Sequence, residues 1–456
     1  MELTAAQEPV AVTAAALLVD ADEVLSPGWL SIVDGVVQAT GTGAPPHGVP
    51  VVAQGDVALP GLVSAHQHAV DLLVAGGPTG PTFLDWLLGT YHGGLAHARP
   101  DECALAVAAV RAATLTGGVT TMVDCWSVGP VADAARAAEC ADASLEAHRT
   151  SGGRTVFGVM GNERPAPGWE RAGATYGLDV ADLCRPWDAT LAEVERLATD
   201  HHRADGGRTL VAPAPELPET ASSDGLRAAM ALARRLDVVM PLHLCASPPS
   251  RAAYGPAELE RDGLADARLL AAHVSAVDGH DVAALGRAGI AVAHCPRSAQ
   301  ALGGTSPTPL AALRWAGARG AIGLDNASLN PSRDLFAEAR AAMGWAAVAG
   351  SPLDPVTVFR LLTSEGADAV GLGTTVGRLR RGFRADVVLL DASGPHWHPR
   401  RASWVETVVA SATAADVRTV LVDGRAVVTD REALVAVDGP ALDRAAGRIA
   451  RLAGWR

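Results

Sequence analysis

The chain has 456 residues, 49% of them hydrophobic, and its 50 acidic residues outnumber the 37 basic ones, giving a formal net charge of −13. This length exceeds a usual single core and predicts one large domain with a smaller one beside it. An acidic chain without a long basic run is not expected to bind nucleic acid or a membrane, and no segment resembles a signal peptide or a transmembrane helix. Because the six cysteines show no metal-type pairing and no compact disulfide framework, we expect a protein of the reducing cytoplasm.

Residues 1–58 predict the first part of a small β-domain. They contain short segments rich in Val, Leu and Ile that are interrupted by Pro and Gly, as is typical of short strands joined by turns. Residues 375–456 return to this pattern, with strands expected around 377–390 and 417–425 and a helix at the end. We therefore expect the two chain ends to meet in one small β-sandwich.

Residues 59–374 show a different repeat, in which apolar runs are each followed by an Ala-rich helical stretch. The eight runs are 61–66, 120–125, 155–160, 209–214, 238–244, 269–274, 290–295 and 321–326. Continuous apolar runs are typical of parallel strands buried on both faces. Eight of them alternating with helices predict an α/β fold of the (β/α)8 TIM-barrel type. A doubly wound open sheet is the alternative, but no phosphate-type Gly-x-Gly-x-x-Gly follows a strand.

Polar side chains lie at the carboxyl ends of four of these runs. His66 and His68 end the first run and point to the same face because side chains alternate along a strand. His243, His273 and Asp325 end the fifth, sixth and eighth runs. In a barrel of this type the chemistry belongs at these ends, and nitrogen and oxygen ligands suit zinc or a similar divalent ion. Each residue alone could be a buried polar group, but together they predict a metal site.

Several motifs in this chain resemble the amidohydrolase superfamily. The branch that they resemble is the mononuclear one that contains cytosine, guanine and S-adenosylhomocysteine deaminases and triazine hydrolases. The matching segments are Leu-Pro-Gly-Leu-Val-Ser-Ala-His-Gln-His at 59–68, Gly-Gly-Val-Thr-Thr-Met-Val-Asp at 117–124, His243, His273, His-Cys-Pro-Arg-Ser at 294–298, Asp325, and the Gly-x-x-x-x-Gly-x-x-Ala-Asp segment at 377–386. The resemblance implies that His66, His68, His243 and Asp325 hold the metal. It also implies that His273 contacts the metal-bound water or the substrate.

The number of metal ions is predicted by a missing residue type. Binuclear members of the superfamily commonly bridge two ions with a carboxylated lysine after the fourth strand, and this chain contains no lysine. Glu216 follows the fourth run and could serve as a bridge, but we interpret it as a surface or loop acid. We therefore expect one divalent metal ion, zinc in the first place and iron as the alternative.

The main departure from the resemblance is Ala246. Deaminases of this branch carry a glutamate three residues after the strand-five histidine, where it donates a proton to the ring nitrogen. Ala246 cannot donate a proton, so either another residue replaces it or the substrate does not need that proton. We therefore predict a hydrolase that cleaves a C–N bond of an amide or amidine by attack of metal-bound water. Natural-product tailoring of the macroamidine peptide type is one such role.

Two catalytic residues are predicted in that reaction. Asp325 is expected to act as the general base and later as the proton donor to the departing nitrogen, and His273 is expected to stabilise the developing oxyanion. The first alternative is a deaminase or chlorohydrolase of an amino-substituted heterocycle, such as a nucleobase, S-adenosylhomocysteine or a triazine. A further alternative is an inactive metal-binding relic.

The substrate contacts are predicted from the loops after the strands. Trp86, Trp126, Arg164 and Ser298 are the candidates for a small-molecule or peptide substrate. The two tryptophans could equally pack helices onto the barrel. By analogy with such relatives, we also expect a homodimer.

Overall fold

The amino-terminal part of the chain forms five strands. The computed structural model of the protein describes residues 8–80, 82–129, 133–302, 307–400 and 403–455. The strands are β1 (Val10–Leu18), β2 (Val24–Leu25), β3 (Gly28–Val33), β4 (Val36–Thr42) and β5 (Val51–Pro60).

Eight parallel strands in the middle of the chain form the barrel. They are β6 (Leu62–His68), β7 (Val119–Trp126), β8 (Arg154–Gly161), β9 (Thr209–Pro215), β10 (Met240–Leu244), β11 (Leu269–His273), β12 (Ala291–His294) and β13 (Arg319–Ile322), with the short β14 (Asp325–Asn326) continuing β13. β6 to β9 pair in order, as do β10 to β13. β14 pairs with β6, and the amide of His243 at the end of β10 donates to the carbonyl of Glu216 just after β9 over 3.3 Å. These two contacts close the barrel.

The helices surround the barrel, as the Ala-rich stretches predicted. They are α1 (Phe83–Trp86), α2 (Gly93–Leu95), α3 (Pro100–Thr116), α4 (Ala134–Thr150), α5 (Trp169–Thr175), α6 (Trp187–His201), α7 (Ala204–Gly207), α8 (Ser223–Leu236), α9 (Pro248–Ala253), α10 (Pro256–Arg261), α11 (Gly279–Arg287), α12 (Pro296–Leu302), α13 (Leu310–Trp315), α14 (Leu335–Val348), α15 (Pro355–Leu362), α16 (Ser364–Ala369), α17 (Trp404–Ser411) and α18 (Gly439–Leu452). A π-helix, Leu87–His92, lies between α1 and α2. None of the described helices is both long and apolar enough to cross a membrane.

Local sequence signals explain where several helices begin. Asp334 precedes α14 and accepts hydrogen bonds from the amides of Phe336 and Ala337 at 2.9 and 3.1 Å. Ser222 caps α8 in the same way through the amide of Gly225 at 3.1 Å. These side chains satisfy amide groups that have no partner within the helix.

The carboxyl-terminal strands complete the sheet begun by β1 to β5. They are β15 (Val387–Leu390), β16 (Val417–Val422), β17 (Arg425–Thr429) and β18 (Glu432–Ala433). β5 pairs with β1 on one side and with β15 on the other, so both chain ends contribute to one nine-stranded sheet. The sheet has an apolar core of its own, which includes Val12, Leu30 and Leu389. The prediction of a (β/α)8 barrel with a small β-sandwich domain built from both chain ends is confirmed as a barrel plus a sheet domain to which both ends contribute.

A buried charge network joins the barrel to the sheet. The guanidinium of Arg154, at the start of β8, donates to both carboxylate oxygens of Asp386 at 2.7 and 3.0 Å and also contacts Asp423. Arg154 and Asp386 are both almost fully buried. Since a bidentate pair fixes orientation as well as distance, these contacts hold the two parts of the molecule together.

Candidate active site and metal centre

His66, His68 and Asp325 meet where the first and eighth barrel strands are paired. The register of β14 on β6 places Asp325 opposite Gln67, between the two histidines. Oδ1 of Asp325 lies 3.3 Å from Nε2 of His66 and 3.6 Å from Nε2 of His68. The alternation expected from the sequence therefore points both imidazoles at the same carboxylate oxygen.

His243 and His273 approach this group from the fifth and sixth strands. Nε2 of His243 lies 3.2 Å from Nε2 of His68. The His243 ring is 4.8 Å from the His66 ring and 5.4 Å from the His273 ring, measured between centroids. The structure thus brings together all four predicted ligands and His273.

Backbone carbonyls fix the orientation of two of the imidazoles. Nδ1 of His68 lies 2.6 Å from the carbonyl oxygen of Cys125, and Nδ1 of His243 lies 2.6 Å from that of Glu216. Because a carbonyl can only accept, each Nδ1 carries the proton and each neutral ring presents a lone pair at Nε2. Burial lowers the pKa of both histidines to about 4, which favours these neutral forms.

The donor set fits a divalent cation. Nε2 of His66 and Oδ1 of Asp325 are buried 3.3 Å apart and neither has a well-aligned hydrogen bond, which is costly unless a ligand satisfies them. The lone pairs of His68 and His243 face each other across 3.2 Å, an arrangement that a positive ion would stabilise. His66 forms two groups with metal-ligand spacing, one with His68 and Asp325 and one with His243 and His273. Nitrogen and carboxylate ligands in such a group suit zinc.

Asp325 is held in place by two further contacts. The hydroxyl of Ser298 donates to Oδ2 over 2.5 Å, and the guanidinium of Arg333 donates to the backbone carbonyl of Asp325 over 2.9 Å. Burial alone would raise the pKa of this carboxyl. The contact with His66 and the charge of His273 outweigh that effect and hold the pKa well below its usual value.

The backbone at His273 has a conformation that side chains rarely adopt. His273 has φ of 73° and the β-branched Val274 has φ of 51°. The hydroxyl of Thr308 donates to the carbonyl of His273 over 2.6 Å, and the amide of Val274 donates to the carbonyl of Leu244 over 3.0 Å. Since the surroundings maintain this strained conformation at a site, it indicates a functional role for the position of the His273 ring.

An open cavity lies over the cluster, with about 780 Å3 of space when its opening to solvent is included. Trp86 and Ser298, two of the predicted substrate contacts, line it. Ala246 also lines it, so a methyl group stands where the resemblance implies a proton donor. Much of the remaining wall is apolar and consists of Phe83, Leu87, Tyr91, Met160, Leu217 and Leu302.

The other two predicted substrate contacts do not line this cavity. The indole nitrogen of Trp126 donates to the hydroxyl of Ser144 over 3.0 Å, and the ring borders a smaller neighbouring cavity of about 420 Å3. The guanidinium of Arg164 donates to the carbonyls of Glu219 and Ala221 at 3.2 and 2.9 Å and borders a separate surface cavity. Hydrogen bonds within the protein thus fix the positions of both side chains, and neither side chain lines the cavity over the cluster.

Glu216 is not the surface acid that the sequence suggested. Its side chain is only 5% exposed and lines the large cavity. Oε1 lies 2.9 Å from Nε2 of His92, and Oε2 accepts from Nδ2 of Asn162 over 2.6 Å. Burial alone would raise the pKa of Glu216, but the charge and hydrogen bond of His92 and the bond from Asn162 lower it to about 2. Among the described residues, Glu216 belongs to none of the groups with metal-ligand spacing.

His92 and Asn162 were missed as functional candidates. Both are buried, and they come from the π-helix and from the residue just after β8. The sequence did contain a signal for Asn162, because this residue directly follows an apolar run and the predicted ligands lie at the ends of such runs. His92 lies on a stretch that has no strand pattern, and nothing in its spacing relates it to Glu216.

Comparisons with known proteins agree with this geometry. A sequence profile described as "Amidohydrolase family" matches residues 57–427. A 5-methylthioadenosine/S-adenosylhomocysteine deaminase of Desulforamulus reducens is 27% identical over 453 residues, covering 96% of each chain.

Solved structures show the same fold at lower identity. An adenosine deaminase from Xanthomonas campestris with bound zinc superposes with a TM-score of 0.83, at 24% identity and covering 98% of each chain. The atrazine chlorohydrolase of Arthrobacter aurescens in complex with zinc superposes with a TM-score of 0.82, at 21% identity and covering 97% of this chain and 100% of that one.

Proposed function

Since this chain belongs to the amidohydrolase family, we propose that it hydrolyses a C–N bond of an amino-substituted heterocycle. One divalent metal ion, zinc in the first place, would be held by His66, His68, His243 and Asp325. The support for zinc is the donor set itself and the zinc in the two solved relatives described above. The support for a heterocycle is that relatives spanning the whole chain are named as deaminases of adenine compounds.

One observation carries the metal-dependent part of the proposal. Oδ1 of Asp325 and Nε2 of His66 are buried 3.3 Å apart without a well-aligned hydrogen bond, beside two imidazole lone pairs. A protein that did not bind a cation here would lose free energy for each of these groups. A divalent ion bound at this point would lower the pKa of a coordinated water towards neutrality and polarise the bond to be cleaved.

The chain's own residues supply the proton transfers and the orientation. Ser298 holds Oδ2 of Asp325 while Oδ1 faces the cluster, so this carboxylate lies beside the histidines and can take a proton from the attacking water. The same carboxyl can then pass that proton to the departing nitrogen. The His273 ring, packed beside the His243 ring, is placed to hydrogen-bond the oxyanion that develops on the substrate.

Hydrolysis of an amide or amidine is the second candidate function. The observation that favours it is Ala246, which leaves this position of the cavity without a proton donor. The comparisons described above name deaminases and a chlorohydrolase and give no support to a role in natural-product tailoring. We therefore rank hydrolysis of an amide or amidine below hydrolysis of an amino-substituted heterocycle.

An assay with defined metal content tests the proposal. The zinc-loaded protein is incubated with 5′-methylthioadenosine, S-adenosylhomocysteine, adenosine, guanine and an aminotriazine, and ammonia and the hydroxylated product are measured together. We expect equal amounts of both with at least one compound, and loss of turnover after chelation and in the D325N variant. Release of a larger amine from amide substrates alone would favour the second candidate. Full zinc occupancy without turnover of either class would indicate an inactive relic.

The cellular location and assembly remain proposals of the same kind. The six cysteines are free thiols in the structure, which is consistent with the reducing cytoplasm that we propose. A small-molecule substrate suits the cavity over the cluster, because its wall is mostly apolar and carries a few polar groups. The expected homodimer is open to measurement by light scattering.

A further inference from the structure

We propose that the carboxylate of Glu216 is the counter-ion of a cationic substrate, a protonated amino-heterocycle whose ring N–H and exocyclic amine share one positive charge as in an amidinium. This inference rests on the function proposed above and specifies its substrate class. It also explains how the reaction proceeds with Ala246 in place of a proton donor.

The Glu216 carboxylate is oriented by two donors but is not saturated. Oε1 is bound by His92 and Oε2 by Asn162, at 2.9 and 2.6 Å. The orientation of the Asn162 amide follows from this contact, because a carboxylate can only accept and Nδ2 must therefore face Glu216. A carboxylate offers about four acceptor positions, so these two contacts leave room for donors on a ligand.

The charge of the cavity favours a cation. Two carboxylates, Glu216 and Asp325, are among the described residues that line it, and none of those residues is an arginine. The chain contains no lysine that could take this role. Within the described lining, an anionic group of a substrate would therefore find no arginine or lysine partner, whereas a cation would find the buried carboxylate of Glu216. His92 already pairs with this carboxylate, so a bound cation would gain from the acceptor positions of Glu216 that remain open to its N–H groups.

The aromatic side chains in the cavity wall suit a flat, delocalised cation. The rings of Trp86 and Tyr91 lie 5.7 Å apart between centroids, and the Tyr91 ring is 5.8 Å from the His68 ring. Aromatic faces attract a cation that lies against them, and an amidinium is planar. The cavity thus offers aromatic surface for the ring and a carboxylate acceptor for its N–H groups.

A substrate that is already protonated does not need the missing acid. Water adds to the amidinium carbon to form the new C–O bond, and its proton passes through Asp325 to the nitrogen that departs. The C–N bond then breaks, so that the amidinium and one water become the neutral carbonyl compound and one ammonium ion. Atoms and charge balance without a proton from residue 246.

Binding of benzamidine and benzamide to the zinc-loaded, full-length protein tests the inference. Both probes are flat and similar in shape, but only benzamidine is an amidinium at neutral pH. We expect calorimetry to show that benzamidine binds about tenfold more tightly or better, because it gains a charge-assisted hydrogen bond to Glu216. We expect E216Q to lose this preference and E216D to regain part of it, with the zinc content of both unchanged.

Glu219 provides the matched control. It is a mostly buried acid three residues further along the chain that borders the separate surface cavity. We expect E219Q to keep the preference for benzamidine. Equal binding of the two probes by the unsubstituted protein, or a preference retained by E216Q, would overturn the inference. Neither result depends on turnover, so ammonia release from a neutral heterocycle could still support the proposed function while this inference failed.

Discussion

The hydroxyl of Ser298 donates a 2.5 Å hydrogen bond to Oδ2 of Asp325. This contact joins the start of α12, after the seventh strand, to the eighth strand, and it leaves Oδ1 directed at His66 over 3.3 Å. Asp325 can therefore present only one oxygen to the histidine cluster. Ser298 also lines the cavity. It therefore forms part of the cavity wall and also positions the carboxylate of Asp325.

Replacing Ser298 by alanine is expected to weaken the metal site. Loss of a hydrogen bond that orients a metal ligand typically costs 10–100-fold in metal affinity or activity, and we expect S298A to fall within about that range. Zinc affinity measured by competition with a chelator, together with kcat, checks the prediction. S222A removes a helix-capping hydroxyl away from the site and should keep its zinc affinity. Unchanged zinc affinity and unchanged kcat in S298A would contradict the role given to this hydrogen bond.

A side chain at Gly323 is expected to displace His66. A Cβ atom at this position would lie 2.9 Å from the carbonyl oxygen of His66 and 2.9 Å from Sγ of Cys295, so the backbone beside the metal site must move. We expect G323A to lose about 1–3 kcal/mol of unfolding free energy and to bind zinc more weakly.

Gly344 is the control for that substitution. It lies in α14, and a Cβ atom there would have no neighbour within 4 Å. We expect G344A to gain about 0.5–1 kcal/mol, because glycine is a poor helix former. Urea unfolding and zinc titration of both variants measure the difference. Equal stability of the two variants would show that the backbone around His66 adapts without cost.

The buried carboxyl of Glu338 should make stability depend on pH. Burial raises the pKa of Glu338 to about 7, although Asn330 and the amide of Arg297 donate to it over 2.6 and 3.2 Å. Between about pH 4.5 and pH 7 the folded state keeps this proton and the unfolded state does not, so the free energy of unfolding falls as pH rises. The loss contributed by Glu338 is about 3 kcal/mol across this range.

Urea unfolding at several pH values in the protein and in E338Q checks this. Glutamine resembles the protonated form, so E338Q should lack this part of the slope and be the more stable protein at pH 7.5. A slope that is the same in both proteins would mean that another group accounts for it.

Removing the Arg154 charge should destabilise the contact between barrel and sheet. R154M leaves the carboxylate of Asp386 buried without its guanidinium partner, while Asp423 keeps its contacts with Arg208 and Arg384. Breaking a buried ion pair in this way costs about 3–5 kcal/mol. The exposed pair of Arg234 and Asp266 provides the comparison, and R234M should cost less than about 1 kcal/mol. Equal losses in the two variants, measured by chemical unfolding, would contradict the structural role of Arg154.

The sequence by itself determined the barrel and the core of its site. Apolar runs separated by helical stretches depend only on local periodicity, and side-chain alternation placed His66 and His68 on one face. Because parallel strands of a barrel end at the same rim, the residues at the ends of four runs could be expected to meet, and His243, His273 and Asp325 do lie beside them.

Only the tertiary structure decided which loop residues reach that rim. Trp126 and Arg164 follow strands as Trp86 does. The indole of Trp126 nevertheless hydrogen-bonds Ser144, and the guanidinium of Arg164 hydrogen-bonds backbone carbonyls. The contact between Glu216 and His92 joins residues 124 positions apart in sequence. Loops have no periodicity that fixes their direction, so their side-chain partners are set by barrel closure and by burial, which no local pattern records.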